Sequence, residues 1–449
     1  MKLPEEFLNS LKDVKGFDEK AFVQLHSSEE KITSVRLNPF KKTEPGITLN
    51  AKVPWCEEGF YLDERPSFTF DPLFHAGCYY VQEAGSMFLS HVLKSVADLT
   101  QQLRVLDLCA APGGKSTLIN SLISEESFLI SNEVIKPRAE ILSHNLNKWG
   151  TCNTAVTNCD PLVFSKLNEV FDVIVADVPC SGSGLFRKQP EALNEWSLNN
   201  VNLCSTRQKR IIGDSINSLK QGGLLIYSTC SYSKEENETE VEWMIKEFDL
   251  ELIQVPLGDW KIVDTGWGYR FFPYLTKSEG FFCAVLKKKG ISETQHGRKT
   301  KKFVFDEITK KEFEPLKDKI NLKPFHKVFR FQNEFKLVNS ALFDFMNNYG
   351  PGVYFKKTGT TIGEMKHRDF LPHHEFAQSI YLSSSVNRIE LTKEQAISFL
   401  KKENLILTTE KGISLMTYKG QGLGWAKVLD NRINNYLPKE FRILSQDEF

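Results

Sequence analysis

Between Leu103 and Ile123 an apolar run enters the stretch Leu106-Asp-Leu-Cys-Ala-Ala-Pro-Gly-Gly-Lys-Ser-Thr117 and leaves it as a helix-like segment, Lys115–Ile123. This pattern of strand, tight loop and helix start limits the possible folds more than any other stretch. The glycines allow the backbone to approach a ligand, and the first N–H groups of the helix face that ligand with partial positive charge. On these residues alone three readings stay open. The loop is a turn without a ligand, a phosphate loop built on Gly114-Lys115-Ser116, or a loop for a nucleoside cofactor. A phosphate loop also requires a glycine five residues before Gly114, where Cys109 stands.

Beyond this loop strands and helices alternate, which predicts an α/β domain whose mostly parallel sheet carries helices on both faces. Strands are expected at Val105–Leu108, Phe128–Asn132, Thr154–Thr157, Val173–Asp177 and Leu224–Tyr227. Helices are expected at Lys115–Ile123, Pro137–Trp149, within Leu198–Leu219, and at Lys234–Phe248. Glu251–Val255 and Gly280–Leu286 complete seven strands as an antiparallel edge. Ligands of such sheets bind at the carboxyl ends of the strands, near the reversal of strand order. Glu133, Asp160 and Asp177 each fall at such an end. Glu133 lies about 20 residues past the glycines, where a carboxylate binds ribose hydroxyls. Three acids beside one glycine loop favour a nucleoside pocket over three unrelated caps.

The flanks differ from this core. Residues 1–70 read as a small α+β unit, with helices at Glu5–Val14 and Lys20–Leu25 and extended segments at Ile32–Leu37 and Gly59–Leu62. The core domain is assigned to 71–290, a linker to 291–302, an intermediate α+β domain to 303–375 and a last domain to 376–449. The net charge of zero hides an asymmetry: residues 291–449 hold 26 Lys+Arg against 19 Asp+Glu, a balance of +7 that leaves −7 for the rest. A positive C-terminal part fits a polyanion, and it fits an ordinary solvated surface equally well. Arg36-Leu-Asn-Pro-Phe-Lys41 suits phosphate and base contacts, or is simply the end of a strand. No apolar run approaches the ~18 residues needed to span a bilayer. The acidic N-terminus lacks the apolar core of a signal peptide, so a cytoplasmic protein without a membrane partner is expected. Nine scattered cysteines without a Cys-x-x-Cys pair point to reduced thiols, with neither disulfide framework nor metal site.

Two of those cysteines stand apart. Asp177-Val-Pro-Cys180-Ser-Gly-Ser-Gly184 follows one central strand, and Ser228-Thr-Cys230-Ser-Tyr-Ser233 follows the next. If adjacent strands end alike, Cys180 and Cys230 meet at the mouth of the pocket. They are then structural thiols, part of a metal site that lacks further ligands, or nucleophiles. The last option meets a definite chemical need. Cytosine C5 is too electron-poor to attack a methyl sulfonium, but a thiolate adding at C6 turns the ring into an enamine with a nucleophilic C5. An acid near N3 offsets the charge that develops on the ring, and Asp177 is the candidate. The residues do not say which thiol attacks.

Asp107-Leu-Cys-Ala-Ala-Pro-Gly-Gly-Lys115, Asp177-Val-Pro-Cys-Ser-Gly-Ser-Gly184 and Tyr227-Ser-Thr-Cys-Ser-Tyr232, in this order, closely resemble the Sun/Fmu-type RNA cytosine-C5 methyltransferases. Arg36–Lys41, Gln82-Glu-Ala84 and Glu279-Gly-Phe-Phe282 look like further blocks of that family, so the resemblance spans about residues 30–290. It implies a Rossmann-like fold and S-adenosylmethionine (SAM) as cofactor. Cys109, Ala110, Ala111, Pro112, Gly113, Gly114 and Lys115 would wrap its methionine part, Glu133 would take the ribose, and Asp160 would lie beside the adenine. Asp177 would contact cofactor or target base. By the same resemblance Cys230 is the nucleophile and Cys180 assists product release. Val178 replaces the usual alanine of Asp-Ala-Pro-Cys, which leaves the reactive groups untouched.

Gly422-Leu-Gly-Trp-Ala-Lys427, Asn431-Arg-Ile-Asn-Asn-Tyr-Leu-Pro438 and Arg442-Ile443 resemble the tail of the bacterial RsmF branch, which ends in a PUA-like RNA-binding domain. The expected substrate is therefore small-subunit ribosomal RNA or the subunit itself, acted on by a monomer. Transfer RNA is the runner-up. A P-loop RNA-dependent ATPase using Lys115 and Asp177, and a non-catalytic ribosome assembly factor, are the alternatives from other classes.

Overall fold

The computed structural model describes residues 3–28, 31–291, 305–350, 352–367, 369–407, 410–430 and 432–445. The expected linker after Ile291 and Asn431 of the tail motif lie outside them.

The buried apolar runs of the middle third pair into one sheet of ten strands. In chain order these are β1 (Arg104–Asp107), β2 (Phe128–Asn132), β3 (Thr154–Thr157), β4 (Phe171–Asp177), β5 (Leu219–Thr229), β6 (Leu250–Leu252), β7 (Val263–Asp264), β8 (Tyr269–Phe271), β9 (Phe281–Lys288) and β10 (Phe355–Thr358). The spatial order is β7-β8-β9-β5-β4-β1-β2-β3-β10, with β6 also paired to β9. Strands β5, β4, β1, β2 and β3 are parallel. Strand β4 shows why: Phe-Asp-Val-Ile-Val-Ala-Asp is buried almost throughout, as a strand covered on both faces must be. The chain steps outward from β1 to β2 and β3, then returns to β4 on the other side of β1. This reversal puts a crevice at the carboxyl ends of β1 and β4.

The helices cover the faces. They are α1 (Gly114–Leu122), α2 (Lys136–Trp149), α3 (Leu198–Ser215) and α4 (Glu238–Glu247). Helix α2 has Pro137 in its first turn and ends at Gly150, whose φ of 94° is the left-handed cap that glycine supplies without strain. One face of the sheet packs Ile130, Phe171, Ile174 and Tyr227. The other packs Val105, Leu129, Val175 and Ile226 against Phe88 and Leu118.

All seven strands expected from the sequence are present, and three more join them. Two, β7 and β8, are short and extend the antiparallel edge. The third, β10, comes from the expected intermediate domain and pairs antiparallel with β3 at the opposite edge. Phe345 from the helix before β10 packs at a tilt against Phe128 and Phe171 in the same core. The remaining strands of that region form a five-stranded sheet, and residues 388–435 contribute a four-stranded one. The N-terminal unit is a three-stranded antiparallel sheet with Thr33–Leu37 between Gly59–Leu62 and Tyr79–Val81, so it reaches past the expected boundary at residue 70. Its Val35, Leu62 and Leu73 share a core with Phe399, Met416 and Leu423 of the C-terminal part. The three-stranded N-terminal sheet thus packs against the C-terminal part, while Phe7 and Phe22 before it pack with Phe186, Trp196 and Tyr232 of the central domain.

Arg36 and Lys41, read from the sequence as possible RNA contacts, are buried inside this assembly. The Arg36 guanidinium donates to Gln82 Oε1 at 2.8 Å and Thr117 Oγ1 at 2.6 Å, and stacks 4.6 Å from the Trp149 ring centroid. Lys41 Nζ donates to the carbonyls of Ala76 and Lys148, each at 2.6 Å. Both side chains fasten the N-terminal unit to helices α1 and α2, and neither faces solvent. Among the described residues no helix is long and apolar enough to cross a membrane.

Candidate active site

The cofactor loop leaves β1 at Asp107 and enters α1 at Gly114. Gly113 takes φ of 114°, an angle that glycine alone adopts readily, and a Cβ there would press on Leu142 at 3.2 Å. The loop is braced from below. Arg138 Nη2 donates to the Ala111 carbonyl at 2.9 Å, Asn145 Nδ2 to that of Pro112 at 2.8 Å, and the Ala110 N–H to that of Asn132 at 2.8 Å. The start of α1 is left facing the crevice.

The residues read from the sequence as catalytic or cofactor-binding come to this one edge. Glu133 follows β2, almost buried, with its Oε1 accepting the Ile135 N–H at 2.9 Å. Asp160 follows β3 and is less enclosed: it caps the turn at Leu162 and pairs with Arg210 at 3.2 Å. Asp177 ends β4 on the other side of β1. Its Oδ2 lies 2.7 Å from Lys115 Nζ, and its Oδ1 accepts the Ser228 hydroxyl at 2.7 Å. Burial opposes the charge on Lys115, but Asp177, with smaller contributions from Cys230 and Asp107, lifts the ammonium above its ordinary range. Cys109 lies in the loop between these acids. Burial, with Asp107, Asp177 and Glu133 nearby, keeps its thiol protonated.

The parallel register sets Asp177 beside Ser228, so the two strands end together and their following loops meet. Cys180 Sγ and Cys230 Sγ are 3.1 Å apart. Hydrogen bonding to Cys230, burial and the charges of Cys230 and Glu236 raise the Cys180 thiol well above its ordinary range. Either thiol can be the donor in this contact. The Lys115 ammonium lies close enough to Cys230 to interact with its charge.

Asp107, quoted in the motif but given no role from the sequence, lies under the loop. Its Oδ2 accepts the Ser116 hydroxyl at 2.6 Å, while buried Oδ1 has no hydrogen-bond partner. Burial outweighs that bond and raises the carboxyl from 3.8 to about 7. The stability tied to its proton is complete below about pH 4, shrinks as the unfolded aspartate ionises, and is gone above pH 7. That difference amounts to about 4 kcal/mol. Asp107→Asn keeps an acceptor for Ser116 and cannot ionise. It should raise the thermal midpoint over the native protein at pH 8 and leave it nearly unchanged at pH 4. Equal shifts at both values would show that Asp107 does not hold a proton in the fold.

A glycine cradle, a helix start open to the crevice and carboxylates at three strand ends suit a nucleoside with a charged amino-acid tail. The residues present fit SAM, and the fold and this edge define a SAM-dependent methyltransferase. Sequence comparison bears this out. The family described as 16S rRNA methyltransferase RsmB/F matches residues 95–287, the N-terminal domain of 16S rRNA methyltransferase RsmF matches 3–84, and the methyltransferase RsmF PUA domain matches 386–443. Ribosomal RNA small subunit methyltransferase F of Psychromonas ingrahamii is 32% identical over 439 residues, covering 91% of this chain and 88% of its own. The Shewanella piezotolerans protein of the same name is 31% identical over 407 residues, covering 86% and 84%. A methyltransferase homolog from Pyrococcus horikoshii, 27% identical, superposes with a TM-score of 0.52 over 64% of this chain and all of its own. NSun6 from the same organism, solved with SFG, shares the fold at 21% identity with a TM-score of 0.55, over 64% of this chain and 99% of its own. The chain belongs to the ribosomal RNA small subunit methyltransferase F family. That membership removes the ATPase reading, and Lys115 is engaged by Asp177 in a methyltransferase loop.

Proposed function

We propose that the chain methylates C5 of a cytosine in small-subunit ribosomal RNA through a covalent bond from Cys230 to C6. The observation that carries this reading is the 3.1 Å approach of Cys180 and Cys230 beside the Lys115–Asp177 pair. When bound, SAM supplies the electrophilic methyl group. Cys109–Lys115, Glu133 and Asp160 would hold it along the strand ends, with Asp177 next to Lys115 on the side of Ser228 and the thiol loops. Cys230, as thiolate, adds to C6 and makes C5 nucleophilic. The Lys115–Asp177 pair offsets the negative charge that gathers around N3. Once C5 carries the methyl group, its proton must leave and the C6–sulfur bond must break, and Cys180 is the group beside Cys230 that assists this release.

The base reaches the thiols only by leaving its stack. The N-terminal unit and the C-terminal domains, including the PUA-like one, hold the RNA, and the protein works as a cytoplasmic monomer. Labelled-methyl transfer from SAM to small ribosomal subunits, free small-subunit RNA and bulk transfer RNA tests this. Label at a cytosine C5 of ribosomal RNA is expected. Label only in transfer RNA would overturn the substrate, and label at another atom of the base would overturn the thiol chemistry.

A further inference from the structure

The mechanism needs two sulfurs in contact, yet they stand on separate loops that leave separate strands. Something must fix the loops against each other. Beneath them lies Glu236, fully buried and outside every motif used so far. Its Oε1 accepts the Ser181 N–H at 2.8 Å and Gln208 Nε2 at 3.3 Å. Its Oε2 accepts the hydroxyls of Ser181 and Ser231, each at 2.5 Å. Ser181 follows Cys180 and Ser231 follows Cys230, so this single carboxylate holds the residue next to each thiol.

We propose that Glu236 is the positioning residue that clamps the two cysteine loops together and sets the Cys180–Cys230 contact. The assignment rests on the two-thiol reading above for its meaning in catalysis, and on the four hydrogen bonds for its geometry. Gln208, on α3, anchors the clamp to that helix and to the Cys180 loop, since its Nε2 also donates to the Pro179 carbonyl at 3.0 Å. The neighbouring Asn237 continues it on the other loop, accepting from Thr229 Oγ1 at 2.6 Å and donating to the Ser231 carbonyl at 2.8 Å. A carboxylate suits this place because four donors converge on its two oxygens. A glutamine of the same size presents one accepting oxygen and an amide that cannot receive the serine hydroxyls. Buried charge-assisted hydrogen bonds of this kind hold geometry tightly, and loosening them moves both loops at once.

The test uses the full chain and reads the thiol pair without turnover. Phenylarsine oxide bridges two close thiols through two arsenic–sulfur bonds, releasing one water, and intact mass reports the bridged chain. Cys180→Ala and Cys230→Ala mark the signal that belongs to this pair. Glu236→Gln should slow bridging about tenfold and lower kcat at least about tenfold, with KM for SAM within about twofold of native. Glu236→Asp keeps the charge and should recover part of both losses. Bridging or kcat at the native value in Glu236→Gln would overturn the clamp. If that variant does not fold, Ser231→Ala removes one hydroxyl donor and should shift both readouts in the same directions, with native values again overturning it. The nucleophile assignment fails separately, through methyl transfer that survives Cys230→Ala, because arsenical bridging reports geometry alone.

Discussion

Cys230→Ala should abolish methyl transfer, lowering kcat on the order of 10⁴-fold or more, while SAM affinity stays within about twofold of native. The magnitude follows from the substrate. Without a thiol added at C6, C5 of cytosine has almost no nucleophilic character, and no other group in the site supplies it. Cys180 is the only other sulfur within contact of that position among the described residues, and its proton is held by burial and by its neighbours. Cofactor affinity should persist because the slot is built from β1, α1 and the ends of β2 and β3, whose braces do not include Cys230. Equilibrium binding of SAM and single-turnover methyl transfer, run on one preparation, separate the two effects. Turnover within about tenfold of native would end the case for Cys230 as nucleophile and reopen the role of the thiol pair.

The sequence made the middle of this molecule readable because its signals are local. In a strand buried on both faces, such as Val173–Asp177, an apolar run with an acid at its end states both the element and the position of the acid. Helices α1 and α2 lie within a residue of expectation, since a glycine loop starts one and Pro137 and Gly150 bound the other. From those elements the convergence of Glu133, Asp160, Asp177, Cys180 and Cys230 follows by topology. The choice between the thiols did not follow from residues. It came from resemblance alone.

What escaped the sequence depends on distant partners. Strand β10, Phe-Lys-Lys-Thr, has no strand-like alternation of its own and is extended because it adds to the edge of β3 some 200 residues upstream. Arg36 reads as a surface cation, since a buried guanidinium is rare unless partners satisfy it. Here Gln82 and Thr117 supply acceptors and Trp149 a ring face, all far away in sequence. Glu236 sits in Lys234-Glu-Glu-Asn-Glu238, which has the composition of a solvated helix start. Only the meeting of two loops turns it inward. The Ser181 and Ser231 that donate to it were visible as neighbours of the cysteines, without any sign that they share a partner.

Cys180→Ala should leave the early chemistry in place and stop the late one. Cys230, Lys115 and Asp177 remain, so C6 addition and methyl transfer to C5 proceed once. The adduct then waits for loss of the C5 proton and cleavage of the C6–sulfur bond, steps that a positioned acid–base group accelerates by about 10²–10⁴-fold. Steady-state turnover should fall by that factor, while about one methyl group per chain is transferred in a first burst. A slow-migrating enzyme–RNA band should build up on a denaturing gel, carrying label from both RNA and methyl group. Cys180→Ala with Cys230→Ala should show no band, since the sulfur that bonds to the base is gone. Alanine also removes the sulfur–sulfur contact that Cys180 makes with Cys230 at 3.1 Å, so addition itself can change in rate. The burst separates this from a release defect: slow addition delays the burst, whereas slow release leaves the burst intact and lowers only the turnover after it. A full-speed Cys180→Ala enzyme without a band would remove Cys180 from the release step and leave its contact with Cys230 as packing.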